Sequence, residues 1–262
     1  MSGPRGARPT ALVTGSSRGI GRAIAEHLAR RGVRVALHCR ARRAAVDAVH
    51  AALAGEGHVV CTGDLANAAA TEVLWHEAEA ALGGIDILVN NAAIYRDHPL
   101  LATGYAAWQA AWQETLATNL HGPANLMLLA AQAMARRAPL ADAFGRGRIV
   151  NISSRGAFRG EPAAPAYAAS KAGLNALGQS LARALAPDGI YVYCLAPGWV
   201  ETEMATGHLH GTGGAEILAQ HPLGRVATPA EIADAATYCA LDAPAAMTGS
   251  IIDVNGASYL RT

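Results

Sequence analysis

The chain has 262 residues, with 21 Lys plus Arg against 20 Asp plus Glu, 52% apolar residues and 16% charged ones. That apolar content excludes disorder for the bulk of the chain, and a formal net charge of +1 offers no basic stripe for nucleic acid. The length suits one large α/β domain, and no apolar run reaches the roughly 18 residues of a membrane span: the best candidate, 124–135, is interrupted by Asn125 and Gln132.

In chain order, residues 1–9 read as a short flexible N-terminus without a secretory pattern. Apolar runs rich in β-branched residues predict strands at 10–14, 33–38, 57–61, 85–89, 148–152, 190–195 and 249–253. Ala/Leu-rich stretches between them predict helices near 20–31, 41–54, 67–82, 105–136, 165–186 and 229–241. Such alternation implies βαβ units, and hence a doubly wound domain over 10–262 with a seven-stranded parallel sheet and helices on both faces. Ligands then belong at the carboxyl ends of the strands. Segment 137–147 is expected to decorate the surface. Segment 202–228, with Gly207, Gly211, Gly213 and Gly214, is expected to form a lid. Cys39, Cys61, Cys194 and Cys239 make no CxxC pair and read as buried thiols of a cytoplasmic protein. The ten histidines are scattered along the chain, and no metal site is expected.

Residues 14–21, TGSSRGIG, follow the first strand and open the first helix. Glycines permit a tight turn and close backbone approach to a pyrophosphate, while the helix N-terminus offers free N–H groups. An NAD site would carry an acid about 20 residues later, to accept from the ribose 2′-hydroxyl. No Asp or Glu occurs from Val33 to Val46; Cys39 stands there instead, followed by Arg40, Arg42 and Arg43. Guanidinium pairs well with a 2′-phosphate, and Arg18 can approach from the turn. At least one of Arg42 and Arg43 reads as the solvated start of a helix. NADP(H) is favoured over NAD(H).

Ser154 ends the fifth predicted strand, and Tyr167 and Lys171 follow at i and i+4 on one helix face. A free tyrosine has a pKa near 10, and a neighbouring cation moves that value down. The three side chains therefore suit a general acid that serves a carbonyl oxygen held by Ser154.

With these motifs the chain resembles the short-chain dehydrogenases/reductases, from about Thr10 to Gly256, and within them the 3-oxoacyl-carrier-protein reductases. The resemblance rests on the glycine turn, Asp64-Leu65, Asn90-Asn91-Ala92, Asn119, Ser154, Tyr167, Lys171, Pro197-Gly198 and Thr202. It implies Tyr167 as proton donor, Lys171 lowering its pKa and binding the nicotinamide ribose, Ser154 polarising the substrate oxygen, and Asn119 holding a relay water. It further implies Asp64 at the adenine amino group, Asn90 beside the cofactor and Thr202 at the carboxamide. The cofactor positions are then Gly15, Ser17, Arg18, Gly19, Ile20, Gly21, Arg40, Asp64, Leu65, Asn91, Ala92, Tyr167, Lys171, Pro197, Gly198, Val200 and Thr202. Homotetramers or homodimers through the long helices near 105–136 and 165–186 are implied as well, and the Ala-rich face of Ala168, Ala169, Ala172 and Ala176 suits close helix approach, between chains or within one. Ala93 departs from the family's NNAG, and the ending 254–257, VNGA, departs from VDGG.

Trp75, Trp108 and Trp112 read as packing residues, and Trp199, just after Pro197-Gly198, as a candidate pocket wall. Tyr95, His98, Arg155, Phe158 and Met204 are candidates to shape the substrate site. The leading expectation is an NADPH-dependent reductase of a small-molecule or acyl-linked ketone. Asp188 stands where carrier-protein reductases often have a basic residue, which favours a free small molecule. The alternatives are an alcohol or sugar dehydrogenase working oxidatively, and a nucleotide-binding protein without catalysis.

Overall fold

The computed structural model describes residues 8–41, 43–211 and 213–261; residues 1–7, which make up most of the expected N-terminal arm, and Arg42 lie outside them. The strands are β1 (Thr10–Val13), β2 (Arg34–Cys39), β3 (Val59–Thr62), β4 (Ile87–Asn90), β5 (Gly147–Ile152), β6 (Ile190–Pro197) and β7 (Ile251–Val254). The helices are α1 (Gly19–Arg30), α2 (Arg43–Ala52), α3 (Ala68–Leu82), α4 (Tyr105–Leu116), α5 (Gly122–Ala135), α6 (Gly156–Arg159), α7 (Pro165–Leu185), α8 (Glu203–Leu209), α9 (Gly214–Ala219) and α10 (Pro229–Leu241).

All seven strands are parallel, in the order β3-β2-β1-β4-β5-β6-β7. This is the doubly wound Rossmann-like sheet that the alternation predicts. Successive side chains of a strand face opposite sides, so an all-apolar strand buries both faces. Leu12 sits in register with Ala36 and Leu88, and the three share one core with Leu74 of α3, Leu126 of α5 and Leu174 of α7. Val13, Leu37 and Val89 turn to the other face and pack with Leu28 of α1, Val46 of α2 and Ala236 of α10. The strand order reverses between β1 and β4, which opens a crevice at their carboxyl ends.

Two expectations change. The predicted helix 105–136 is divided by a π-helical turn, Ala117–His121. Pro123 has no N–H to give to the Asn119 carbonyl four residues back, and a Cβ on Gly122 would lie 2.7 Å from the Leu65 carbonyl. Segment 137–147 does not merely decorate the surface, because Leu140 and Phe144 are buried in the core. The buried Arg148 guanidinium lies 4.9 Å from the Phe144 ring centroid and donates to the carbonyls of Ala143, Phe144 and Cys239. Segment 202–228 is less irregular than its sequence suggests, since α8 and α9 lie within it. At the chain end, Ala257 takes φ 59°, a left-handed conformation that glycine adopts without strain. Among the described residues no helix is long and apolar enough to cross a membrane.

Candidate active site

A cavity of about 550 Å³ follows the crevice from the β2 end to the β6 end. Its first wall is the glycine turn. Gly15 and Gly19 have φ of 65° and 54°, and a Cβ on Gly21 would lie 2.3 Å from the Gly15 carbonyl. Only glycine lets the turn fold this tightly. The first turn of α1 carries no acid, so its N-terminal N–H groups keep their affinity for an anion.

Polar side chains behind the turn hold it in shape. Thr14 Oγ1 donates to the Val89 carbonyl and accepts from the Asn91 and Ala92 N–H groups at 2.9 and 3.0 Å. The Asn91 amide donates to the Thr14 and Gly15 carbonyls. Gly15 N–H donates to His38 Nδ1 at 3.2 Å, and His38 Nε2 lies 2.9 Å from the Gly63 carbonyl. A carbonyl only accepts, so Nε2 carries the proton. Burial keeps the His38 pKa below the ordinary histidine value, which favours this neutral tautomer.

Arg18, Arg40 and Asp64 line the same end of the cavity. Arg40 Nη1 stands 3.8 Å from Asp64 Oδ2, and Arg18 pairs with Glu203 at the start of α8. These pairs are surface-exposed and exchangeable.

Asn119, on the π-helical turn, is fully buried. Its Oδ1 accepts from Ile94 N–H at 2.9 Å, and its amide donates to the Ile94 carbonyl and to Ser170 Oγ. Its side chain is thus clamped on the 91–96 loop and on Ser170, and Asn119 is not among the residues that line the cavity. Ser154 Oγ accepts from Gly156 N–H at 3.0 Å. Lys171 Nζ donates to the Ile152 carbonyl at 2.7 Å and lies 5.7 Å from the Tyr167 ring centroid.

The expected lowering of the tyrosine does not appear in this arrangement. Burial pushes the Tyr167 phenol up to about 12 against the hydrogen bond with Ser154, and pushes Lys171 down to about 8. Burial disfavours both charged forms, and it outweighs the Ser154 hydrogen bond at the phenol and the field of Cys194 at the ammonium. At neutral pH the phenol is protonated and able to donate.

The cavity takes in Tyr167, Lys171 and Ser154 together with every expected cofactor position: Gly15, Ser17, Arg18, Gly19, Ile20, Gly21, Arg40, Asp64, Leu65, Asn91, Ala92, Pro197, Gly198, Val200 and Thr202. Asn90 is not among the lining residues. It lies in the core, where its amide donates to Asn151 Oδ1 at 2.9 Å, so it supports β4 and β5 rather than flanking a ligand. Trp199, Tyr95, Arg155, Met204 and Ala93 line the cavity, whereas His98 and Phe158 do not. His98 holds the Ala166 N–H at the start of α7, and Phe158 lies under the Arg261 guanidinium.

Sequence reasoning missed His38, Glu161 and His208. His38 had a signal, being a polar residue in an apolar strand two residues before Arg40, an expected cofactor position. The spacing of His208 and His210 resembles a metal pair, yet the His208 ring packs against Tyr95 and Trp199, at 5.6 and 5.3 Å between centroids. Among the described residues no cluster of His, Cys, Asp and Glu could hold a metal ion.

Together, the fold and the crevice define a Rossmann-like α/β protein with its ligand site at the topological switch point. The chain belongs to the short-chain dehydrogenase/reductase family and is an oxidoreductase: residues 15–257 match the family model described as enoyl-(acyl carrier protein) reductase. It is 38% identical over 250 residues to the 3-oxoacyl-[acyl-carrier-protein] reductase FabG of Escherichia coli K12, covering 95% of this chain and 97% of that one. The protein of the same name from Staphylococcus aureus Mu50 is 34% identical over 253 residues, with 96% and 98% covered.

Proposed function

We propose that this protein is an NADPH-dependent carbonyl reductase with Tyr167 as its general acid. The observation that carries the reading is one continuous cavity joining the glycine turn and Arg40 to the Tyr167 hydroxyl. The residues present fit a dinucleotide: the turn has no room for a Cβ at Gly21, α1 opens without an acid, and Arg18 and Arg40 stand where a 2′-phosphate needs cations. NADPH, when bound, supplies the hydride. Arg40 and Arg18 exchange Asp64 and Glu203 for the 2′-phosphate, which pairs with guanidinium more strongly than the exposed carboxylates do. Asp64 is then left for the adenine amino group and Thr202 for the carboxamide.

At the other end Ser154 holds the ketone oxygen, Tyr167 gives it a proton, and Lys171 sits against the ribose. Segment 202–228 acts as the lid, since α8 brings Met204 and His208 over the cavity.

The substrate is a free small-molecule ketone. The named relatives are reductases of 3-oxoacyl-carrier protein; Asp188, just before β6 and outside the cavity lining, supplies none of the positive charge that an acidic carrier would dock against. All four cysteines are buried free thiols, which fits a reducing cytoplasm. Ala169, Ala172 and Ala176 are exposed along α7, which supports a dimer or tetramer packed there. Following NADPH and NADH absorbance with a panel of ketones tests the reaction. Loss of NADPH signal with several ketones is expected, and no turnover on any of them would refute it. Light scattering tests assembly, with a monomer at micromolar concentration as the contrary result.

A further inference from the structure

Glu161 stands out among the groups lining the cavity because the proposed reaction leaves it idle. Its carboxylate is half-buried, and among the described residues it makes no hydrogen bond or ion pair. A Cβ on Gly156 would lie 2.5 Å from Glu161 Oε1, so the carboxylate rests on Gly156, whose N–H donates to Ser154 Oγ. The acid is thus anchored beside the hydroxyl that is to hold the ketone oxygen.

The nearest guanidiniums are engaged elsewhere. Arg155 Nη2 and Arg159 Nη1 both donate to Gln220 Oε1, at 3.0 and 2.8 Å. Burial raises the Glu161 pKa, while the fields of Arg159, Arg155 and His208 oppose that rise. Its charge is therefore partly offset by Arg159 and by Arg155 and His208 of the cavity wall, none of which reaches its carboxylate with a hydrogen bond. What it lacks is a hydrogen-bond donor inside, and a half-buried acceptor without one is costly. A cationic ligand would meet the field of two arginines, whereas a neutral hydroxyl supplies the donor without that conflict. Tyr95, packed against Tyr167 with centroids 5.0 Å apart, offers an apolar ring face for the carbon skeleton beside it.

We propose that Glu161 accepts a hydrogen bond from a hydroxyl next to the reacting carbonyl, so that the enzyme reduces α-hydroxy ketones in preference to plain ketones and 3-oxoacyl chains. This rests on the reading of Ser154 and Tyr167 as the carbonyl-binding pair. In the reaction NADPH is oxidised to NADP⁺, the ketone carbon takes the hydride and its oxygen takes the Tyr167 proton. The product is a vicinal diol.

Hydroxyacetone and butanone differ only by hydroxyl against methyl, and kcat/KM for each with NADPH is measured on wild type, Glu161→Gln and Glu161→Leu. Comparing ratios removes the difference in intrinsic reactivity between the two ketones. The ratio of hydroxyacetone to butanone should fall about 10- to 150-fold in Glu161→Leu, as loss of a hydrogen bond to a charged group implies, and less in Glu161→Gln, whose amide oxygen still accepts. An unchanged ratio would mean that solvent alone satisfies the acid, and a loss shared equally by both ketones would mean a structural role; either overturns the proposal. If wild type reduces neither ketone but does reduce an acetoacetyl thioester, the Glu161 inference fails while the reductase reading stands. If it reduces none of the three, the reductase reading fails first.

Discussion

The two ends of the cavity are built in opposite ways. At the nucleotide end the polar groups behind the turn are tied to backbone within a few residues of a strand end: Thr14 to β4, Asn91 to the glycine turn, His38 to Gly15 and Gly63. At the substrate end the wall is assembled from separate segments, with Tyr95, Glu161, Trp199 and His208 meeting through ring contacts or through no contact at all. A site wired to strand ends presents one geometry and selects one ligand, whereas rings and unpaired groups on loops leave the choice of substrate to a few side chains. Binding of the cofactor and choice of the substrate should therefore be separable by mutation.

The largest effect should come from Tyr167→Phe. The ring, its contact with Tyr95 and the nucleotide end all remain, and only the proton donor is lost. A general acid contributes about 10²–10⁴-fold, so ketone reduction should fall at least that far while fluorescence titration still finds NADPH binding. A variant with near wild-type turnover would remove Tyr167 from the chemistry.

Arg40→Asp acts at the other end. The new carboxylate repels a 2′-phosphate and can accept from a 2′-hydroxyl. NADPH affinity should drop by about 10- to 150-fold, with NADH binding kept or improved. Titration of both cofactors against both proteins measures it; an unchanged preference would show that neither the guanidinium nor the absence of an acid at this position sets selectivity.

The pH profile reports on the junction between the two ends. A lysine is charged below its pKa, and burial brings Lys171 down to about 8, so its charge is present at pH 7 and lost as pH rises through that value. Reductive kcat/KM should therefore fall above pH 8, by roughly tenfold per unit. A rate that stays level to pH 10 would mean that the ammonium is dispensable.

His38→Ala should have the smallest effect. It leaves Gly15 N–H without its acceptor and Gly63 C=O without its donor in a buried setting, at about 1–3 kcal/mol. Thermal unfolding should shift down by a few degrees, on the order of 2–4 °C per kcal/mol, with weaker NADPH binding alongside. An unaltered melting curve would argue that the turn holds itself without the imidazole.

The fold was legible because period and punctuation carry it. Apolar runs such as 85–89 and 148–152 can only be strands buried on both faces, and the glycines of 14–21 have no other use than a turn too tight for side chains. The same logic exposed Ser154, Tyr167 and Lys171, whose spacing places them on one strand end and one helix face. Local pattern did not extend to Phe144, because burial of a loop depends on where Arg148 and α10 happen to stand. The direction of the Tyr167 pKa was beyond it too, since a lysine four residues away says nothing of how much water either group retains. Asn90 and Asn91 look alike in sequence, but strand alternation sends one into the core against Asn151 and the other to the glycine turn.

By itself, then, the sequence determined the parallel sheet, the tight glycine turn and the grouping of Ser154, Tyr167 and Lys171, all set by contacts close in sequence or by the strand period. Only the tertiary structure decided which acids and rings share the substrate wall. Glu161 and Tyr95 come from loops and His208 from α8, far apart in sequence, and their proximity follows from how the elements pack rather than from any local preference.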